Sequence, residues 1–133
     1  MLIEKAKELI DMSLHKGEHP RMGAVDVCPL IPISNITMEE TVEYAHKLGE
    51  RVGDELGIPI YCYENAAKED KRVNLSNCRS GEYEGLSKKI ITSVWKPDYG
   101  PSKFTESVAK SGVTAISARD FLIAYNVNLN STS

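Results

Sequence analysis

TMEETVEYAHKLGERVGDELGIPIYCY, residues 37–63, decides the architecture. Thr37 and Glu40 have the T-x-x-E spacing of a capping box, in which each side chain satisfies a backbone N–H at the start of a helix. Val42, Ala45, Leu48, Val52 and Leu56 then recur at helical spacing and give the segment one apolar face. Gly57 stands at the usual stop position, so the helix runs to about Leu56. IPIYCY, residues 58–63, reads as a short strand directly after it.

The pattern extends in both directions. Upstream, AVDVCPLIPI (24–33) is extended and apolar, and Pro29 and Pro32 mark its second half as an edge or an irregular extension. KGEHPRMG (16–23) is a loop, broken by Gly17, Pro20 and Gly23. Residues 2–15 read as an amphipathic helix carrying Ile3, Ala6, Leu9, Ile10 and Leu14. Only Met1 precedes this helix, so it lacks a capping residue, and the expectation is that upstream strands are missing. An unpaired sheet edge would then favour self-association.

Downstream, short helical pieces are expected at 74–80 and 83–90, and WKPDYGPSKF (95–104) reads as a structured loop. Residues 113–118 form a strand. Phe121, Ile123, Tyr125, Val127 and Leu129 on one face alternate with Leu122, Ala124, Asn126 and Asn128 on the other, and the short link Arg119-Asp120 predicts an antiparallel hairpin. These elements predict a single α+β domain over 1–133, with a mixed or antiparallel sheet, helices packed on one face, and one core.

Composition narrows the function. The chain has 133 residues, 41% hydrophobic and 26% charged, which is ordinary for a soluble globular protein. A net charge of -3 argues against a nucleic-acid binder, since Lys71-Arg72 and Lys88-Lys89 are only short basic clusters. No apolar run is long enough to span a membrane, and MLIEKAKELI is too charged for a secretory signal. Cys28, Cys62 and Cys78 are odd in number and far apart, so neither a disulfide framework nor a metal site is expected; buried thiols in a reducing cytoplasm fit.

Three segments can carry chemistry. GEHPRMG (17–23) places His19 on a loop between helix and strand, where an imidazole can exchange protons near neutral pH; a surface or capping histidine is the plainer reading. His15 and His46 lie within helical patterns and read as structural. RSGEYEG (79–85) gathers Arg79, Glu82, Tyr83 and Glu84, either as a site or as a solvated turn. DYGPS (98–102) has a glycine that lets backbone approach a ligand, or serves as a plain turn.

Taken together, LIDMSLHKGEHPRMGAVDVCP (9–29), RSGEYEGL (79–86), WKPDYGP (95–101) and ARDFLIAYNVNLN (118–130) resemble, in order, the blocks of the glutamate formiminotransferases, whose domain is also the N-terminal part of formiminotransferase-cyclodeaminases. The resemblance covers essentially the whole chain. It implies a ferredoxin-like-related N-terminal subdomain, folate bound between two subdomains, and a homodimer. The implied reaction transfers a formimino group from N-formimino-L-glutamate to the co-substrate tetrahydrofolate, in cytoplasmic histidine breakdown.

By the same resemblance, His19 is the catalytic residue and a folate-contacting stretch runs from Gly100 to Gly112, including Pro101, Ser102, Lys103 and Phe104. The family's catalytic aspartate has no counterpart here, and Ser117 stands where the family usually has glycine. In the implied mechanism, folate N5 attacks the formimino carbon while one imidazole accepts the N5 proton and then protonates the leaving glutamate nitrogen. A carboxylate would stabilise the cationic formimino group; Glu18 and Asp26 are the local candidates, or are surface charges. Arg21 either meets a substrate carboxylate or forms a structural salt bridge. The alternative function is a non-catalytic subdomain that binds folate weakly or serves as an interaction module.

Overall fold

The computed structural model describes residues 2–125 and 127. The elements run α1 (Leu2–Leu9), β1 (Val27–Leu30), α2 (Met38–Leu56), β2 (Ile60–Glu64), a 3-10 turn (Asp70–Arg72), α3 (Leu75–Arg79), α4 (Leu86–Lys89), α5 (Glu106–Ser111) and β3 (Thr114–Ala118). The α+β class is as expected. The details that differ follow from the position of β3.

The sheet has the order β1-β3-β2, and both pairings are parallel. Strand β3, the last among the described residues, therefore lies in the middle, flanked on both sides, and has no free edge for a hairpin partner. This overturns the expected antiparallel hairpin. Phe121–Tyr125 and Val127 form no strand and stand exposed, Phe121 at 70% and Ile123 at 91%; Leu129 lies outside the described residues. The sheet is parallel, and among the described residues only isolated antiparallel bridges, Gly23 with Gly112 and Ile60 with Tyr99, accompany it.

The helices lie on both faces, where one was expected. The connection from β1 to β2 steps across the sheet in one direction and the connection from β2 to β3 steps back. Right-handed crossovers in opposite directions put their helices on opposite faces. Side chains that alternate along each strand accordingly feed two cores where one was expected. Ile60, Cys62, Ile116 and Ala118 pack with Ile3 of α1 and with Ala45 and Val52 of α2. Tyr61, Tyr63 and Ala115 pack with Cys78, Leu86 and Val108 from α3, α4 and α5. Strand β3 is buried along its whole length, as a central parallel strand must be.

The anchor helix matches its sequence signals. Thr37 Oγ1 accepts from Glu40 N–H at 3.1 Å, the Glu40 carboxylate accepts from Thr37 N–H at 2.8 Å, and Gly57 closes the helix at φ 62°. Helix α1 stops at Leu9, short of the expected residue 15. Asp11 draws Ser13 into a local turn, accepting from its N–H at 3.0 Å and its hydroxyl at 2.6 Å. Met12 then docks on α5 by donating to Lys110 O at 2.9 Å. Helix α5 was not anticipated, although Thr105 as N-cap, Glu106 in the first turn and Gly112 at the end are its ordinary signals.

Both sheet edges are guarded. Ala115 N–H donates to Asp26 O and Arg119 N–H to Leu30 O, so alternation turns Val27 and Pro29 outward. Pro29 removes a donor from that edge, as the sequence indicated for this segment. The outer edge of β2 is occupied by Tyr99, Asp98 and Val73, which pair with Ile60, Cys62 and Glu64. Burial pushes the Cys62 thiol up to about 12 and that of Cys78 to about 11, in keeping with structural thiols. Among the described residues no helix is long and apolar enough to cross a membrane.

Ser117 is fully buried in β3 and its hydroxyl has no hydrogen-bond partner among the described residues. An unpaired buried hydroxyl costs about 1–3 kcal/mol, and removing it avoids that cost. Ser117→Ala is therefore expected to raise the urea midpoint, equivalent to about 1 kcal/mol. A lower midpoint would refute this.

Candidate functional site

The structure brings together two of the three chemistry-bearing segments. Residues 21–23 of the histidine loop are fixed from several sides. Met22 is buried; its N–H donates to Asp26 Oδ1 at 2.8 Å and its carbonyl accepts from Val113 N–H at 2.8 Å. Gly23 passes the residues just before β3 so closely that an added Cβ would stand 2.1 Å from the Val113 carbonyl oxygen. Arg21 O accepts from Tyr83 N–H at 2.8 Å, which attaches the loop to the RSGEYEG turn. The Tyr83 hydroxyl in turn donates to Ala109 O at 2.6 Å, tying the turn to α5.

Two ion-pair groups complete the junction. The Arg21 guanidinium meets Glu84 with two bonds, Nη2 to Oε1 at 2.7 Å and Nη1 to Oε2 at 3.1 Å. Its contact to Glu82 Oε2 is longer, 3.3 Å. The hydrogen bonds from Arg21 hold the Glu84 carboxyl below the usual carboxylate range. Arg79 donates through Nε to Asp26 Oδ2 at 2.9 Å, so both oxygens of Asp26 are engaged.

His19 lies just outside this fixed part. Residues 13–20 are all exposed, and no hydrogen bond to His19 occurs among the described residues. The imidazole is open to solvent at the corner between α1 and β1. Beside it, Pro20 lines a cavity of about 310 Å³ together with Ser76, Arg79, Ser80, Gly81 and Glu82. That volume is at the lower end of ligand pockets, which run from about 300 to 1,000 Å³. Glu82 reaches the cavity from a left-handed backbone, φ 51°, following Gly81 at φ 82°. A non-glycine residue in that region is strained, and such strain gathers at functional positions.

The third segment takes another place. Asp98 and Tyr99 seal the β2 edge, and Gly100 packs against Gly53 of α2, where an added Cβ would lie 2.5 Å from Ile58 O. From there the chain crosses to the opposite face. Pro101 and Ser102 are half-buried, Lys103 is exposed, and Phe104 packs against the cluster of Tyr61 and Tyr63. Gly112 returns to the histidine loop at φ 65°, with room for no Cβ against Met22 O. Of the residues expected to contact folate, Gly112 therefore touches the segment that carries His19 and Gly100 sits against α2.

His15 is exposed, and its carbonyl accepts from Arg21 Nη2 at 3.4 Å. His46 lies 3.1 Å through Nδ1 from the Tyr99 hydroxyl, and burial lowers its pKa, as suits a structural histidine. Glu18 is exposed and does not line the cavity. Sequence reasoning missed Ser76 and Ser80 as cavity walls, since neither stands in a motif that marks a ligand.

A small three-layer domain with the base of its histidine loop clamped beside a cavity that carries Arg79 and Glu82 is the class that fold and site define. Residues 1–119 match the formiminotransferase domain, N-terminal subdomain, and the chain belongs to that family. It is 56% identical over 124 residues to the formimidoyltransferase-cyclodeaminase of Gallus gallus, an alignment that takes in 93% of this chain and 22% of the relative. To the glutamate formimidoyltransferase of Streptococcus pyogenes serotype M1 it is 49% identical over 129 residues, 97% of this chain and 42% of the relative. The Thermoplasma acidophilum glutamate formimidoyltransferase is 50% identical over 133 residues, with 98% and 43% covered. The chain thus spans well under half the length of these curated relatives.

Proposed function

We propose that this chain supplies the proton-transfer side of a glutamate formiminotransferase, moving a formimino group from N-formimino-L-glutamate to the co-substrate tetrahydrofolate. Folate N5 forms a bond to the formimino carbon, and the bond from that carbon to the glutamate nitrogen breaks. His19 takes the N5 proton and delivers it to the leaving nitrogen, so one imidazole serves both half-steps and ends as it began. The observation that supports this most is the placement of His19: outside the core, on a loop whose base is pinned, next in sequence to Pro20 of a cavity that Arg79 and Glu82 also line.

The reading extends to a second formiminotransferase subdomain, against which the exposed Phe121, Ile123, Tyr125 and Val127 would pack. It places folate between the two, along Gly100, Pro101, Ser102, Lys103, Phe104 and Gly112. It also takes the working protein to be a homodimer in cytoplasmic histidine breakdown. Arg21 enters as the clamp that fixes the loop, because its guanidinium is already engaged by Glu84.

The test is appearance of 5-formiminotetrahydrofolate with the chain alone and with a second subdomain supplied, alongside calorimetry with tetrahydrofolate. Transfer that depends on both partners is the expected result. Folate heat without transfer would favour the non-catalytic module, and neither heat nor transfer would end the proposal.

A further inference from the structure

We propose that Glu82 holds the cationic formimino group of the donor and so sets a preference for formimino over formyl donors. This rests on the donor proposed above and adds the residue that reads it. A protonated formimino group is an amidinium, with positive charge and N–H donors. A formyl group of nearly the same shape is neutral. A carboxylate facing the reacting group separates the two, since it binds the cation by a charge-assisted hydrogen bond and gives nothing comparable to the carbonyl.

The other acidic side chains of the region are poorly placed. Glu84 is held by the two shorter bonds from Arg21. Asp26 spends one oxygen on Met22 N–H and the other on Arg79. Glu18 is exposed and off the cavity wall. Glu82 lines the cavity with Pro20, the neighbour of His19, and its carboxylate has, among the described residues, only the 3.3 Å contact from Arg21 Nη1 to one of its oxygens. A carboxylate can accept about four hydrogen bonds, so most of its capacity is open. Its backbone is left-handed, φ 51°, a conformation that glycine would adopt without strain. Arg79, which also lines the cavity, engages Asp26 through Nε and Nη2 and leaves Nη1 to meet a donor carboxylate.

The test titrates the isotope-labelled chain with N-formimino-L-glutamate and with N-formyl-L-glutamate, following the amide signals of residues 79–84. The formimino compound is expected to bind about tenfold more tightly. Glu82→Gln should bring the two ligands within about twofold of each other. Glu82→Asp, which keeps the charge, should preserve the preference, and Glu43→Gln on the outer face of α2 should do the same. Unchanged amide signals far from the turn establish that each variant is folded. A tenfold ratio surviving in Glu82→Gln, no ratio in the unaltered chain, or binding of neither ligand overturns the proposal. Each of these outcomes leaves the dependence of transfer on His19 to be decided by the activity assay.

Discussion

Replacing Asp98 by alanine is expected to destabilise the fold by about 3–5 kcal/mol, enough to leave a domain of this size close to unfolding. Asp98 and Arg72 form an ion pair of 2.5 Å, and their side chains are 4% and 2% exposed. The other Asp98 oxygen accepts from Cys62 N–H at 2.8 Å, so the same carboxylate closes the edge of β2. Arg72 also donates to Lys96 O at 2.7 Å and lies over the Tyr61 ring, 5.1 Å from its centroid. Its Nε is buried and has no partner among the described residues, so the guanidinium is already short of acceptors before an anion is removed.

Alanine at 98 would leave the buried guanidinium with only the longer ion pair to half-exposed Glu69, at 3.4 Å, among the described residues, and a poorly compensated buried charge is costly. The measurement is the urea midpoint by circular dichroism. Pairing the change with Arg72→Met should recover much of the loss, because removing both charges removes the penalty. Arg51→Ala, which breaks an exposed pair with Glu55, should leave the midpoint where it was. If Asp98→Ala behaved like Arg51→Ala, the buried pair would not hold the loop to the sheet.

His19→Ala should have the opposite profile, with stability kept and turnover lost. The ring is exposed and makes no hydrogen bond among the described residues, so its removal should not move the unfolding midpoint. In the proposed mechanism the same ring carries a proton in both half-steps, and loss of such a group lowers rate by about 10²–10⁴-fold. With the second subdomain supplied, kcat should fall by that factor while KM changes little, because the imidazole acts on the reacting atoms and contributes little to binding. Added imidazole should restore part of the rate, since the corner is open to solvent. His15→Ala, four residues earlier and also exposed, serves as the control and should stay within about twofold of the unaltered protein. Undiminished transfer in His19→Ala would remove the histidine from the chemistry.

The elements legible in the sequence were those whose signals are local. The capping box at Thr37 and Glu40, the apolar face from Val42 to Leu56 and the stop at Gly57 depend on neighbours within a few residues, and all appear as read. Pro29 likewise marked an edge strand, because a missing N–H is intrinsic to the residue. Strand order is not local. The alternation from Phe121 to Leu129 predicted a hairpin with the preceding strand, but whether that strand has a free edge is set by β1, some ninety residues upstream by the register of Val27 with Ala115. The two-sided core was hidden for the same reason.

The site was legible in pieces. GEHPRMG and RSGEYEG each stood out, yet their junction rests on Arg21 with Glu84 and on Asp26 with Arg79, contacts that span more than fifty positions. The left-handed backbone at Glu82 left no trace in a stretch where Gly81 and Gly85 already explained a turn.

Placing the final strand at the centre has a consequence for how the molecule is made. During synthesis β1 and β2 lack the strand that joins them until Thr114–Ala118 leaves the ribosome, so the apolar residues of α1 and α2 that pack on β3 stay uncovered until then. Assembly should then be abrupt, with a single insertion closing both layers together. A nascent chain arrested before that insertion would be digested readily by protease, whereas one long enough to present the strand should resist as a unit.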